Sequence, residues 1–332
     1  MPRIFLTHIP EMLENYYGDR AVSALRELGE VRFNPGTDVL DAGTLADAAR
    51  GCDIIVSDRQ TAGPAEFFAR APDVVAFLRC AIDIRNIDVA AASAAGVLVT
   101  QATAGFLASV SEVAIGFMVD LGRGVTGSTL AYRADQEPEI RMGRQLSGAT
   151  VGIIGYGQIG AYLAPICAAL GMKVLITDPF KRVNDPTFEQ VELDALLERS
   201  DFVVCLATAN EQTENLMNAD AFARMKRSAF FVNMSRGNLV DEEALERALD
   251  QGRIAGAAMD VGRAPDQRPS PHLARRPDVI ATPHIAGLTP EAAEHQAFDT
   301  VKQVRALVTG QVPPGAVNAP AAHRLKRIGV SV

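Results

Sequence analysis

Cysteine is scarce in this sequence. The chain has 332 residues and only four cysteines, dispersed at positions 52, 80, 167 and 205, and no C-x-x-C pair. This pattern indicates neither a zinc knuckle nor a redox dithiol, and no other metal site is indicated. Scattered cysteines in apolar surroundings are typical of a reducing compartment, so we expect a cytoplasmic protein.

Positive charge and long apolar runs are lacking as well. Acidic residues outnumber basic ones by 40 to 32, which gives a net charge of −8 and a pI near 5.2. Nucleic acid and anionic membrane surfaces are therefore excluded as the main partner. No apolar run reaches the ~18–20 residues that span a bilayer. The start, "MPRIFLTHIPEM", shows no signal-peptide pattern.

The composition that remains is typical of a globular enzyme-sized chain, with 48% hydrophobic and 22% charged residues. The length predicts one large or two medium domains. In the first hundred residues, helical stretches alternate with four strand-like runs, "RIFLTH", "CDIIVS", "VVAFLRCA" and "GVLVTQ". That alternation predicts βαβ units and a parallel sheet.

A second alternating set follows a long helical segment at 109–135. It has six strand-like runs, at 150–157, 173–178, 201–207, 229–235, 254–261 and 278–284, with helices between them. Six such strands complete a doubly wound sheet. One amphipathic helix, 290–310, remains without a sheet of its own, so the second unit is predicted to be inserted in the first: residues 101–287 within 1–100 plus 288–332. The tail after "VPPG" is expected to be loose.

A glycine-rich turn opens the second set. Gly155-x-Gly157-x-x-Gly160 directly follows an apolar strand and begins a helix. The first glycine permits a tight turn, the second lets backbone approach a pyrophosphate, and the third lets the helix pack on the strand. This context predicts a dinucleotide site.

The next strand, "KVLITD", ends in Asp178. A carboxylate at this place accepts hydrogen bonds from an adenosine ribose and repels a 2′-phosphate, so NAD is favoured over NADP. Lys181 and Arg182 follow closely and weaken that preference. The alternative is that Asp178 is a turn residue before Pro179.

Two side chains lie where open α/β sheets bind ligands, just past strands. Arg236 follows one strand in "FFVNMSRGNLVDEEAL", and its planar fork suits a carboxylate. His284 follows another in "TPHIAG". Together with the glycine loop, Asp178 and "GRIAGAAMDV", these motifs resemble the D-isomer-specific 2-hydroxyacid dehydrogenase family over residues 50–320.

The resemblance implies an α/β fold of two Rossmann-like domains. A flavodoxin-like substrate domain is split by an inserted, doubly wound NAD-binding domain. It also implies a homodimer through the cofactor domain, for which the glycine-interrupted segment 120–147 is the candidate arm. The implied activity is NAD-dependent interconversion of a small 2-oxo acid and its D-2-hydroxy acid.

Carried over by position, the resemblance makes Arg236 the residue that binds the substrate carboxylate and carbonyl. His284 becomes the general acid/base. Asp260 becomes the acid that contacts the nicotinamide carboxamide. The remaining cofactor positions line the pyrophosphate and the strand-end loops: Gln158, Ile159, Ala207, Thr213, Met234 and Ser235.

The sequence departs from the family pattern beside the histidine. The family's catalytic glutamate would fall at Pro265, and the nearest acid is Asp266. A carboxylate next to His284 would stabilise its protonated form and fix its tautomer. Asp266 either takes that role or is a solvated loop acid. In a third alternative, His284 works without a carboxylate.

A second departure is in the substrate loop "RCAIDIRNID". The family usually has glycines at the positions of Ala81 and Asp83, and backbone N–H groups of the 81–83 stretch, including Ile82, receive the substrate carboxylate. The Asp83 side chain either points away from the substrate or binds a cationic or hydroxyl-rich group of the substrate. Phe106 either lines an altered pocket or packs in the core.

Two function classes compete. The leading one is the NAD-dependent oxidoreductase, with formate- or phosphite-oxidising chemistry on the same scaffold as a variant. The other is an NAD-sensing, corepressor-like binding protein with little turnover. The discriminating variant is Arg236→Ala, which should abolish turnover if the protein is an enzyme and leave NAD affinity largely intact in both cases.

Overall fold

The computed structural model describes residues 1–331. The chain forms two compact units. One comprises Met1–Gly105 with the chain from Thr289 onward, and the other is Phe106–Leu288. The boundaries expected at 100/101 and 287/288 thus lie at 105/106 and 288/289 in the structure.

The first unit is a five-stranded parallel sheet between helices, in the order β2-β1-β3-β4-β5. Its strands are β1 (Arg3–Leu6), β2 (Glu30–Phe33), β3 (Ile54–Ser57), β4 (Ala76–Arg79) and β5 (Leu98–Thr100). Its helices are α1 (Pro10–Tyr16), α2 (Asp19–Arg26), α3 (Ala42–Ala48), α4 (Ala65–Arg70), α5 (Val89–Ala95) and, after the second unit, α13 (Pro290–Val308). The strand order reverses between β1 and β3, which is where such sheets bind ligands.

Two features of this unit differ from expectation. The edge strand β2 was not predicted, because its sequence, "EVRF", is short and only half-buried. The prediction of a loose C-terminal tail is wrong. Leu325 and Val330 are buried in the core, and Arg324 donates hydrogen bonds to the carbonyls of Ala71 and Val74.

The second unit is a seven-stranded parallel sheet in the order β12-β11-β10-β9-β6-β7-β8. Its strands are β6 (Thr150–Ile154), β7 (Lys173–Thr177), β8 (Glu189–Gln190), β9 (Phe202–Cys205), β10 (Phe230–Asn233), β11 (Gly256–Met259) and β12 (Val279–Ala281). Its helices are α6 (Leu107–Arg123), α7 (Val125–Arg133), α8 (Gln158–Ala169), α9 (Leu193–Arg199), α10 (Ala219–Arg224), α11 (Glu242–Asp250) and α12 (Pro271–Ala274). The six predicted strands are all present, and the exposed two-residue β8 is the addition.

The long helical segment is broken in two. Gly124 has a left-handed φ of 67° and ends α6, after which α7 begins. The structure as a whole confirms the predicted α/β class with two parallel sheets. Within residues 1–331, no helix is long and apolar enough to cross a membrane, and no cluster of three potential metal ligands occurs.

Candidate functional site

The glycine loop has the shape that a diphosphate needs. At Gly155, which has φ 98°, a Cβ would come within 2.7 Å of the Ala207 nitrogen, and at Gly160 it would come within 2.2 Å of the Gly155 carbonyl oxygen. A Cβ at Gly157 would project into open space. Close packing at two glycines and free room at the third leave the N-terminus of α8, with Gln158 and Ile159, accessible to an anion.

Asp178 is held against this loop. Its carboxylate accepts hydrogen bonds from the backbone nitrogens of Tyr156, Phe180 and Lys181, at 2.7, 2.9 and 2.9 Å. Burial acts to raise the pKa of Asp178, but these donors and the Lys181 charge hold it below its ordinary value. The side chain is therefore ionised, the state that repels a 2′-phosphate.

The loop that carries Asp178 is fixed by a residue that the sequence did not single out. The Gln190 side chain donates to the carbonyls of Asp178 and Lys181 and accepts from the nitrogen of Val183. The short strand β8 thus supplies a brace for the residues beside the glycine loop.

The ends of β9 and β10 meet at the same sheet edge. The Ser235 hydroxyl donates to the Ala207 carbonyl at 2.6 Å, and Met234 is buried. Thr213 lies in the loop after β9, where its hydroxyl donates to the Thr208 carbonyl. The structure brings these predicted cofactor positions together at the carboxyl edge next to Gly155.

Arg236 follows β10 at this edge. Its backbone is extended, with φ −146° and ψ 153°, and one guanidinium nitrogen donates to the Ser235 carbonyl at 2.7 Å. The Arg236 carbonyl in turn accepts from the side chain of Asn233, which is fully buried. The turn that presents Arg236 is thereby fixed at both its ends.

His284 lies in a turn that Asp260 holds from within the core. Asp260 is only 2% exposed, and its carboxylate accepts hydrogen bonds from the Thr282 hydroxyl and from the nitrogens of Ile285 and Ala286. These three donors flank His284, which has a left-handed φ of 60°. A non-glycine residue keeps that conformation only where its surroundings impose it.

Asp266 reaches His284 through its main chain. His284 Nδ1 lies 3.1 Å from the Asp266 carbonyl oxygen, and among the described residues no ion pair joins its ring to the Asp266 carboxylate. A carbonyl can only accept, so this contact requires the proton on Nδ1, and Nε2 is the nitrogen that remains free of this bond. Of the alternatives left open for Asp266, the contact with His284 is therefore made by its backbone carbonyl and not by its carboxylate.

The predicted substrate loop lies in the first unit, at the end of β4. Ala81 is buried, Ile82 is half-buried, and the exposed Asp83 is bound by the guanidinium of Arg85 at 2.6–3.0 Å. This hydrogen bonding lowers the pKa of Asp83 to about 2. Arg85 thus compensates the negative charge of Asp83.

Phe106 belongs to the second unit, at the start of α6. It is half-buried and packs on the core cluster that contains Val110, Ala286 and Met234. A Cβ at Gly287 would lie 3.3 Å from the Phe106 Cβ. These contacts support the interpretation of Phe106 as a core residue, and a role toward substrate stays a prediction.

Sequence reasoning missed a buried acid in this region, Glu242. It is 8% exposed and accepts hydrogen bonds from the Arg263 nitrogen and the Ser270 hydroxyl. One signal could have revealed it. Glu242 precedes Leu245 and Leu249 by three and seven positions, which places its charge on the apolar face of α11.

Comparison with known proteins agrees with this geometry. Residues 115–286 match the family model described as "D-isomer specific 2-hydroxyacid dehydrogenase, NAD binding domain". The chain belongs to the D-isomer-specific 2-hydroxyacid dehydrogenase family. Its cofactor is NAD, and it is an enzyme of this dehydrogenase class.

Two relatives in the family match over nearly their whole length. The (S)-sulfolactate dehydrogenase of Chromohalobacter salexigens is 33% identical over 89% of this chain and 96% of its own. The glyoxylate reductase of Korarchaeum cryptofilum is 30% identical over 96% of each. An NAD-complexed 2-hydroxyacid dehydrogenase from Lactobacillus delbrueckii ssp. bulgaricus shares the fold, with a TM-score of 0.82 at 23% identity over 96% of this chain and all of its own.

Proposed function

We propose that this dehydrogenase interconverts a 2-oxo acid and its D-2-hydroxy acid, with Arg236 and His284 as the reacting side chains. The observation that carries the proposal is the pairing of two fixed turns at one sheet edge. One presents Arg236 after β10, and the other presents His284 after β12. Both strands flank β11, and Asp260 directly follows β11.

NADH, when bound, would supply the hydride that reduces the carbonyl carbon of the substrate. The Arg236 guanidinium binds the carboxylate and polarises the carbonyl oxygen. Protonated His284 donates its Nε2 proton to that oxygen and is left neutral, with its remaining proton on Nδ1 toward the Asp266 carbonyl. Oxidation reverses the proton transfer.

The parts already described would hold the cofactor. The N-terminus of α8 and the room above Gly157 would receive the pyrophosphate, and Asp178 would accept from the adenosine ribose. Asp260, Ala207, Thr213, Met234 and Ser235 would line the site of the nicotinamide.

The first unit is the proposed substrate domain. Its loop 81–83 offers backbone N–H groups to the substrate carboxylate, and the Asp83–Arg85 pair removes the repulsion that a lone acid would exert on an anion. The names of the two relatives suggest small acids related to glyoxylate and sulfolactate as the first candidates.

The test is NADH oxidation with a panel of glyoxylate, pyruvate, hydroxypyruvate, 3-sulfopyruvate and bulkier 2-oxo acids. Arg236→Ala should lower kcat/KM by about 100-fold or more through loss of charge-assisted bonds. His284→Asn should lower kcat by about 10²–10⁴-fold. NADH affinity should stay within about twofold in both.

Matched controls are Arg253→Ala and His272→Asn, since both side chains are exposed. These variants should keep wild-type rates. A wild-type protein that binds NADH but reduces no acid in the panel would overturn the proposed reaction and support a binding protein instead.

We further propose a homodimer in a reducing, cytoplasmic setting. The segment around α7 exposes large apolar side chains, with Tyr132 64%, Ile140 100% and Met142 102% exposed, which is typical of a surface that a second copy covers. The four cysteines are free and buried, as in proteins of a reducing compartment. Sedimentation of wild type and Ile140→Asp tests the dimer.

A further inference from the structure

Backbone strain is concentrated around the contact between Asp266 and His284. Five non-glycine residues within 1–331 have a positive φ, and four of them, Asn215, Asp266, Gln267 and His284, lie at this contact or in the network that supports it. Each left-handed residue costs about 1–3 kcal/mol and persists only where neighbouring groups enforce it. The groups that enforce it here can be identified.

The loop 262–270 is folded back on itself. The Gly262 nitrogen donates to the Gln267 carbonyl at 2.9 Å, and the Ala264 nitrogen donates to the Arg268 carbonyl at 3.1 Å. Asp266 and Gln267 form the tip of this turn. The Asp266 carbonyl can therefore reach His284 only while the two ends of the loop, near Gly262 and Ser270, stay in place.

Glu242 holds both ends of the loop 262–270. One carboxylate oxygen accepts from the Arg263 nitrogen at 2.9 Å, and the other accepts from the Ser270 hydroxyl. A Cβ at Gly262 would come within 3.0 Å of the first oxygen and 2.6 Å of the Pro269 Cα. The loop thus packs directly on a buried acid that begins α11.

Arg263 extends the same support to the neighbouring strand ends. Its guanidinium donates to Glu214 at 2.8 Å, to the side chain of Asn215, and to the carbonyls of Asn238 and Val240 at 3.0 Å each. The first end of the loop is therefore bound to the segments that follow β9 and β10. The segment after β10 also carries Arg236.

We propose that Glu242 is a positioning residue for His284. By binding Arg263 and Ser270, it holds the Asp266 carbonyl at Nδ1, so that a main-chain acceptor orients the imidazole and fixes its tautomer. The effect on turnover rests on the proposed role of His284 in proton transfer. The effect on the ring itself does not.

The experiment compares Glu242→Leu with Glu243→Leu. Leucine is similar in size to glutamate but can accept neither hydrogen bond. Glu243 is the adjacent residue on α11, but its side chain is 86% exposed and pairs with Arg247 across one turn. Ser270→Ala provides a second variant that removes one side of the support and leaves the buried acid. Ring ¹⁵N signals of His284, assigned with His284→Asn, report which nitrogen carries the proton.

In wild type and Glu243→Leu, we expect the pattern of a single Nδ1–H tautomer. In Glu242→Leu, the tautomers should mix, and kcat should fall about tenfold because small displacements of a reacting group are costly. NADH affinity should stay within about twofold. Ser270→Ala should shift the ring signals in the same direction by a smaller amount.

Unchanged ring signals and kcat in Glu242→Leu would overturn the proposal. A parallel loss of kcat, NADH affinity and thermal stability, with the tautomer retained, would overturn it too, because that result describes a purely structural residue. If wild type reduces no 2-oxo acid yet the tautomer changes in Glu242→Leu, the proposed reaction fails and the positioning role is supported.

Discussion

Replacing Asp260 by asparagine should remove one of the three hydrogen bonds that hold the turn of His284, at minimal steric cost. The wild-type carboxylate accepts from the Thr282 hydroxyl at 2.6 Å, from the Ile285 nitrogen at 2.9 Å and from the Ala286 nitrogen at 3.0 Å. An amide has one accepting atom. In its better orientation, the oxygen keeps Thr282 and Ile285, and the NH₂ group faces the Ala286 nitrogen.

The result is a buried N–H without an acceptor, which costs about 1–3 kcal/mol. For a unit of this size, that corresponds to a fall in Tm of about 2–12 °C. The left-handed φ of His284 then loses part of its support, so kcat should fall about tenfold or more.

Scanning fluorimetry and steady-state kinetics measure the two effects in Asp260→Asn. Asp220→Asn is the control, since Asp220 is an exposed acid on α10. Wild-type Tm and kcat in Asp260→Asn would refute the reasoning, because the hydrogen bonds of a 2% exposed carboxylate would then carry no measurable free energy.

Three further predictions concern acids and a histidine. Asp266→Asn should keep kcat within about threefold, measured at saturating NADH, because only the backbone carbonyl meets His284; a loss near 100-fold would assign the role to the carboxylate. Asp178→Ala should raise the KM for NADH about tenfold and lower the preference over NADPH; an unchanged ratio of kcat/KM values would contradict the assigned role. His8 is buried, and desolvation lowers its pKa to about 4. Between pH 6.5 and 4 the unfolded chain therefore binds more protons than the folded protein does. The free energy of unfolding should fall by about 3 kcal/mol as the pH drops through that range. His8→Phe should flatten this dependence in denaturant melts at pH 7 and pH 5, and equal slopes for both proteins would contradict it.

The layout of the fold could be predicted because buried parallel strands are apolar runs and their connections begin and end at glycine and capping residues. Asp41, Asp88 and Asp241 each accept from a backbone nitrogen in the first turn of a helix. The strands that were missed, β2 and β8, lie at sheet edges, where burial is partial and no apolar run forms. The tail was misjudged because its few apolar residues are spaced for a 3₁₀ segment.

Only those parts of the candidate site that consist of particular side chains could be predicted from the sequence. The glycine spacing, Asp178, Arg236 and His284 are visible as residue types at defined distances from strands. The acceptor for His284 is not, since any residue has a carbonyl, and only the left-handed turn at Asp266 directs this one. Glu242 is likewise invisible to a motif search because its partners are a backbone nitrogen and a serine hydroxyl.

An acceptor made of main chain has a property that a carboxylate lacks: it does not titrate. The Asp266 carbonyl keeps its lone pairs in acid and in base, so the ring of His284 retains its bonding partner across the whole pH range in which the protein is folded. Position 266 is then free to change its side chain, provided the new residue accepts a φ of 59°. Asparagine and glycine meet that condition and β-branched residues do not. Substitutions tolerated at position 266 should therefore be those that keep the left-handed backbone, whether or not they keep an acidic side chain.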